Sequence, residues 1–159
     1  MKPKKYLFIK IALTAFLLIY LTVLYTADRA KDIPMEEIAA FMEQDTDITA
    51  LQKRNRTDLK HFYQISAGDT KGCFFYKAVS PMSVDEILIV KGSDKNQAAA
   101  FLENMEAHLE SQKNVFGGYG TDQMALLGDA VVETRGNYAF YMCGPKASVW
   151  REEDRKSVV

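Results

Sequence analysis

Histidine and cysteine are scarce in this chain, which has two of each among its 159 residues. Neither His61 nor His108 has a partner at the spacing of a metal-binding motif, so no metal site is predicted. The sequence also lacks the G-x-S-x-G turn of a serine nucleophile and the glycine-rich motifs that bind nucleotides. We therefore predict no catalytic residue and no cofactor, and we expect both histidines on helices, at the surface or partly buried.

Excess positive charge is also missing from most of the chain. The first 27 residues carry four lysines and no acid, whereas the remainder holds 16 basic and 21 acidic side chains, a net charge of −5. A nucleic-acid-binding domain needs clustered lysine and arginine to neutralise phosphates. This composition argues against a nucleic-acid partner and predicts a mildly acidic, solvated surface.

The two cysteines, Cys73 and Cys143, both fall in predicted strands. In an oxidising compartment they could form a disulfide, which would close a loop of about 70 residues. The alternative is two free thiols, buried as small apolar side chains. We favour the free thiols, because a disulfide requires a geometry that sequence spacing does not supply.

One long apolar run lies at the amino terminus. Residues 11–27 are 17 consecutive uncharged residues, and residues 6–9 add four more if Lys10 extends its ammonium group to the lipid headgroups. A helix over residues 6–27 would be about 33 Å long, enough for a hydrocarbon core of about 30 Å. Tyr25 stands where a signal-peptidase site needs a small side chain, which favours a retained signal anchor over a cleaved signal peptide.

The charges around this run predict its orientation. Lys2, Lys4, Lys5 and Lys10 precede or enter it, which favours a cytoplasmic amino terminus. The predicted segments are a cytoplasmic tail (residues 1–5), a transmembrane anchor (6–27), a linker (28–33), an extracytoplasmic domain (34–154) and a charged tail (155–159). The protein is then a single-pass protein of the cell membrane, and the lipid bilayer is one of its partners.

Beyond the anchor, the apolar pattern predicts an α+β domain. Helices are indicated by PMEEIAAFMEQ, by residues 98–109 and by a shorter stretch that Thr121 or Asp122 caps. Strands are indicated by CFFYKAV, by VDEILIVKG and by the hairpin AVVETRGNYAFYMCG, which turns at Gly136 and Asn137. We expect two layers: a four-stranded, mainly antiparallel sheet with helices on one face, preceded by the single transmembrane helix.

A glycine-rich loop, FGGYGTDQ, precedes the shorter helix. Backbone N–H groups at a helix start can bind an anion, and a tyrosine can stack on a sugar or peptide. On this ground we treat Gly118, Tyr119, Gly120, Thr121 and Asp122 as a candidate ligand-binding site. The alternative is an ordinary flexible link, because the loop fits neither nucleotide-binding pattern.

Several of these stretches together resemble a known family. EEIAAFM, VDEILIVKG, AAAFLENMEAHLESQ, GYGTDQMALL and AVVETRGNYAFYMCG are similar to the domain of unknown function numbered 4358, found in envelope proteins of low-GC Gram-positive bacteria. The resemblance covers roughly residues 34–150 and implies an exported, anchored domain without an established activity. Some relatives accompany membrane acyltransferases that act on cell-surface polymers, which implies a membrane-protein partner in envelope polymer modification.

These observations lead to one functional hypothesis and two alternatives. The hypothesis is a membrane-anchored, extracytoplasmic binding or scaffolding protein of the bacterial cell envelope, not an enzyme, with a role accessory to cell-surface polymer modification. One alternative is a small envelope hydrolase or transferase that uses the Tyr119 loop and an acid such as Asp122. The other is a solute-sensing module.

Overall fold

The computed structural model of the chain describes residues 3–27, 33–118 and 120–157. All of the predicted linker except Ile33, and part of each predicted tail, therefore lie outside the described residues. The chain divides into two compact units, Met1–Ala30 and Lys31–Val159. The first unit contains one helix, α1 (Pro3–Ala27), and the elements that follow it belong to the second.

Helix α1 coincides with the apolar run of the sequence. Within the parts of the chain that the structure describes, no helix has both the length and the apolar character needed to cross a membrane. The transmembrane anchor over residues 6–27 is therefore not confirmed and stays a prediction.

The second unit contains both helices and strands. Its first half contains α2 (Met35–Met42), α3 (Thr46–Thr49), β1 (Gln52–Lys53), α4 (Arg56–Tyr63) and a 3-10 turn (Ala67–Asp69). Its second half contains β2 (Gly72–Lys77), β3 (Glu86–Lys91), α5 (Lys95–Phe116), α6 (Thr121–Gly128), β4 (Val131–Arg135), β5 (Tyr138–Cys143) and α7 (Ala147–Ser157). The predicted α+β class is confirmed.

The five strands that the structure describes form one antiparallel sheet in the order β1-β2-β3-β5-β4. The predicted β4–β5 hairpin is confirmed, and Gly136 adopts φ 60° in its turn, a conformation that glycine reaches without strain. The prediction of four strands was wrong. Strand β1 has only two residues, both exposed and polar, so it carries no apolar pattern to reveal it.

Helices cover both faces of this sheet, so the prediction of helices on one face was wrong. On the first face, which we call the α2/α7 face, those two helices pack over Phe74, Ile87, Ile89, Phe140 and Met142. On the opposite face, which we call the α5 face, α4, α5 and α6 pack over Phe75, Leu88, Val90, Ala139 and Tyr141. Because successive strand side chains point to opposite faces, the strands β2, β3 and β5 each contribute to two separate cores.

The sequence of α2 explains why a helix forms at this position. Its apolar residues recur at helical spacing, and the structure buries Ile38 and Met42 completely, Met35 almost completely and Phe41 in part. Glu36 and Glu37 lie in its first turn, where acidic side chains interact favourably with the helix dipole. The predicted amphipathic helix is therefore confirmed, and its apolar side forms part of the cover of the α2/α7 face.

Candidate functional site

The glycine-rich loop lies between α5 and α6, and its carboxyl-terminal half borders a hollow. This hollow has a volume of about 210 Å³ and is lined by Met82, Phe116, Gly120, Thr121, Asp122 and Gln123. Gly118 is exposed, with open space where a Cβ would stand. Tyr119 lies outside the described residues. The structure thus brings three of the five predicted residues together in one hollow.

Gly120 fixes the loop against the end of α5. Its N–H donates to the carbonyl oxygen of Phe116 at 3.0 Å, and its own carbonyl accepts from the N–H of Met124 at 2.7 Å. A Cβ at Gly120 would lie only 2.9 Å from Cδ1 of the buried Phe116 ring. A larger residue at this position would force the ring of Phe116 to shift, and that ring is part of the lining of the hollow.

Gln123 ties the other wall of the hollow to the loop between β2 and β3. Its side-chain Oε1 accepts a hydrogen bond from the N–H of Val84 at 2.8 Å. The same loop carries Met82, whose side chain is 58% exposed. The hollow is thus bounded by two segments that are distant in sequence but joined by a hydrogen bond.

The start of α6 differs from the prediction in one respect. Gly120 occupies the N-cap position without a side-chain hydrogen bond, and Thr121 and Asp122 lie in the first helical turn. The prediction that one of these two residues caps the helix was therefore wrong. A carboxylate in the first turn already interacts with the positive end of the helix dipole and would repel an anion. The hollow therefore suits a neutral polar ligand better than an anionic one.

A second group of polar side chains lies inside the α5 face and was missed in the sequence. The carboxylate of Glu86 accepts a hydrogen bond from Tyr63 at 2.7 Å and from the Lys77 ammonium group at 2.6 Å. Nε2 of His108 lies 3.2 Å from Glu86 Oε2, and its Nδ1 lies 3.1 Å from the carbonyl oxygen of Phe62. Because both ring nitrogens face acceptors, only the doubly protonated imidazole satisfies both contacts.

This Glu86 cluster (Tyr63, Lys77, Glu86 and His108) is closed to solvent. The side chain of Glu86 is 1% exposed, that of His108 5% and that of Lys77 13%. Burial alone would raise the pKa of Glu86, but the hydrogen bond from His108 and the charge of Lys77 outweigh burial and lower it. Burial and the neighbouring carboxylate raise the pKa of Tyr63 well above its usual range. The cluster is thus a buried carboxylate whose oxygens are hydrogen-bonded to three neighbouring side chains.

The lowered pKa of Glu86 makes the stability of the fold sensitive to acid. A carboxylate whose pKa is lower in the folded state stabilises that state above its unfolded pKa of about 4.5, and this stabilisation is lost as the pH falls through the folded pKa. We expect the difference in unfolding free energy between the wild type and Glu86→Gln to shrink as the pH falls below about 4.5. Urea unfolding of the full-length chain at several pH values measures this difference, and a difference that stays constant down to pH 3 would contradict the prediction.

The sequence did contain a signal for the Glu86 cluster. Side chains two positions apart on a strand point to the same face of the sheet, and the charged residues of the cluster follow that spacing. Lys77 follows the inward-facing Phe75 by two positions, and Glu86 precedes the inward-facing Leu88 by two. The register then places Lys77 directly opposite Glu86 on neighbouring strands. Opposite charges at inward positions of two adjacent strands therefore indicate a buried pair.

The two cysteines are free thiols, and a disulfide between them is excluded. Cys73 is paired with Val90 of β3, whereas Cys143 is paired with Glu86 at the other end of that strand. They are two strands and four residues apart, roughly 10 Å across the sheet and about 13 Å along it. Burial raises the pKa of Cys73, and burial together with the Glu86 carboxylate raises that of Cys143 to about 12. Both thiols are protonated at neutral pH and are poor nucleophiles.

The histidines differ from each other in environment. His61 is exposed on α4, which confirms the prediction of a surface or partly buried histidine for this residue, and it contacts the ring of Phe62 edge-on. His108 is buried, so that prediction was wrong for it. Among the described residues, no group of three or more His, Cys, Asp or Glu side chains is arranged to hold a metal ion.

Comparison with known proteins identifies a family but no individual relative. The model of a family described as domain of unknown function (DUF4358) matches residues 44–144, which confirms the resemblance seen in the sequence. No curated protein and no solved structure matches the chain. The matched segment contains all five described strands together with α3 to α6.

Proposed function

The chain belongs to the DUF4358 family, and from this premise we propose that it is a non-enzymatic binding or scaffolding domain tethered to the cell membrane. The domain over residues 34–154 is on the extracytoplasmic side, and its partner belongs to the machinery that modifies cell-surface polymers. The envelope setting and this partner rest on the family resemblance. The tether rests on α1.

The observation that carries the proposal is the exposure of apolar side chains all around α1. Between 51% and 70% of each of these side chains is exposed: Ile9, Ile11, Leu13, Phe16, Leu17, Leu18, Ile19, Tyr20, Leu21 and Val23. Six of them are consecutive, which is more than one full turn, so the part of the helix whose side chains the structure describes, residues 9–23, has no continuous polar side to face water. An apolar surface of this kind is stable against lipid chains rather than in water.

The polar side chains of α1 are also compatible with a lipid environment. The hydroxyl of Thr14 donates to the carbonyl oxygen of Lys10 at 2.8 Å, and that of Thr22 donates to the carbonyl oxygen of Leu18 at 2.7 Å. Hydroxyls bonded within their own helix can enter a hydrocarbon phase without an unpaired donor. The four lysines at residues 2–10 favour a cytoplasmic amino terminus, since basic residues are retained on that side.

The environment of the reactive side chains supports binding rather than catalysis. The Glu86 cluster is closed to solvent, and both thiols are protonated at neutral pH. The hollow beside Thr121 and Asp122 is open, and it is the surface that we assign to a neutral polar ligand such as a segment of polymer.

Extraction of membranes tests the tether. We expect the full-length wild type to stay with membranes in alkaline carbonate and to need detergent for release. A variant with Leu17→Lys and Leu21→Lys should be released, because two charges in an apolar helix oppose its insertion. The matched control carries Glu103→Lys and Glu106→Lys on the exposed side of α5 and should stay with the membranes. Release of the wild type without detergent would overturn the tether.

Purification in mild detergent tests the binding role separately. The proposal requires that the full-length chain brings a partner or a polymer fragment with it from its own membranes. Repeated isolation as a lone monomer without ligand would contradict it. Turnover of wall fragments by the wild type, lost in Asp122→Asn without unfolding, would contradict the non-enzymatic part and favour the hydrolase alternative.

A further inference from the structure

A second hollow, distant in sequence from the glycine-rich loop, lies beside α7. It has a volume of about 270 Å³, with apolar walls formed by Leu51, Pro145 and Trp150 and polar walls formed by Asp47, Asp85 and Lys146. Its volume is slightly below the range of about 300–1,000 Å³ that is typical of ligand pockets. A ligand smaller than a typical drug-sized molecule would therefore fit it.

Most polar groups around this hollow are already bonded to each other. Asp47 forms an ion pair with Lys146. The indole N–H of Trp150 donates to Oδ2 of Asp45 at 3.1 Å, and Oδ1 of Asp45 accepts the N–H of Asp47 at 2.8 Å. These contacts fix the rim of the hollow and the indole ring.

Asp85 is the exception. Its Oδ1 is buried and has no hydrogen-bond partner in the structure. The reason is local packing: a Cβ at Gly144 would lie 3.2 Å from this oxygen and 3.3 Å from Cη2 of Trp150, so the carboxylate stands against a glycine backbone and an indole edge. A buried acceptor without a donor destabilises the folded protein, and a carboxylate does so more than a neutral group.

We propose that this hollow, the Trp150 hollow, binds a small ligand that carries a primary ammonium group on a short apolar chain. Asp85 lines the hollow and supplies a negative charge that attracts an ammonium group, and a charged donor forms a stronger hydrogen bond with a carboxylate than a neutral donor does. Leu51, Pro145 and Trp150 supply the apolar surface for the chain. An anionic ligand would be repelled by Asp85. Lys146 would not offset this repulsion, because its charge is already paired with that of Asp47.

Trp150 is the only tryptophan of the chain, so its fluorescence reports on this hollow alone. We would titrate the full-length protein in mild detergent with n-propylammonium chloride, and separately with n-propanol and sodium propionate at equal ionic strength. The expected result is a saturable change in emission with the ammonium ion and none with the alcohol or the carboxylate.

Two variants test whether Asp85 provides the charge that binds the ammonium group. Asp85→Asn should weaken binding of n-propylammonium at least tenfold, whereas Asp69→Asn, which changes an exposed aspartate elsewhere, should bind as the wild type does. An equal response to n-propanol, or no saturable response to the ammonium ion, would overturn the proposal and leave water as the partner of Asp85. This comparison of probes uses the wild type, so it decides the question even if Asp85→Asn does not fold.

Discussion

Replacement of Glu86 by alanine is expected to lower the free energy of unfolding by about 3–5 kcal/mol. The carboxylate is the common acceptor for Tyr63, Lys77 and His108, and all three are buried or nearly so. Without it, an ammonium group, an imidazole and a phenol lose a shared acceptor that is almost completely buried. Removing one member of a buried ion pair is costly because the remaining charge is left uncompensated.

Thermal and urea unfolding of the full-length chain, followed by circular dichroism, would measure this effect. A loss of this size lowers the melting temperature by on the order of 10 °C in a domain of this length. The matched control is Glu110→Ala, which removes an exposed carboxylate paired with Lys113 on α5 and should change stability by less than about 0.5 kcal/mol. Equal effects of the two substitutions would show that the Glu86 cluster does not stabilise the fold.

Replacement of Trp150 by alanine is expected to cost a similar amount, about 3–5 kcal/mol. The indole is 2% exposed, packs in the core of the α2/α7 face and donates its N–H to Asp45. Its removal leaves a cavity between α7 and the sheet and an unpaired carboxylate oxygen on the segment that follows α2. Both consequences weaken the attachment of α7.

The neighbouring residue provides the control for this substitution. Val149 lies on the same helix, is 46% exposed, and should lose less than about 1 kcal/mol when replaced by alanine. Urea unfolding followed by far-ultraviolet circular dichroism is suitable for both variants, since it does not depend on the indole. A Trp150→Ala variant as stable as Val149→Ala would mean that α7 is not part of the cooperative fold.

Local patterns in the sequence predicted most helices and four of the five described strands. The apolar stripe of α2 and the turn at Gly136 and Asn137 are local signals, and both were confirmed. The order β1-β2-β3-β5-β4 is set by contacts between distant segments, which no local pattern contains. Even so, the two-sided cover of the sheet had a signal. Strand β5 is buried at every position, and a continuous apolar run indicates burial on both faces.

The candidate sites were predictable to different degrees. The loop with Gly120, Thr121 and Asp122 stood out by composition and does line a hollow. The Trp150 hollow was not predictable, because Leu51, Asp85 and Pro145 come from three distant segments whose meeting depends on the strand order. The Glu86 cluster lies between these cases, since its charges follow the strand period but their pairing requires the register.

The two helices of the α2/α7 face lie outside the segment of the chain that the family model matches. Helix α2 ends at Met42, before residue 44, and α7 begins at Ala147, after residue 144. A gene fragment cut at the family limits would leave Phe74, Ile89 and Phe140 uncovered, and such a fragment should precipitate when it is expressed. Cloning boundaries for this protein therefore belong before Met35 and after Trp150.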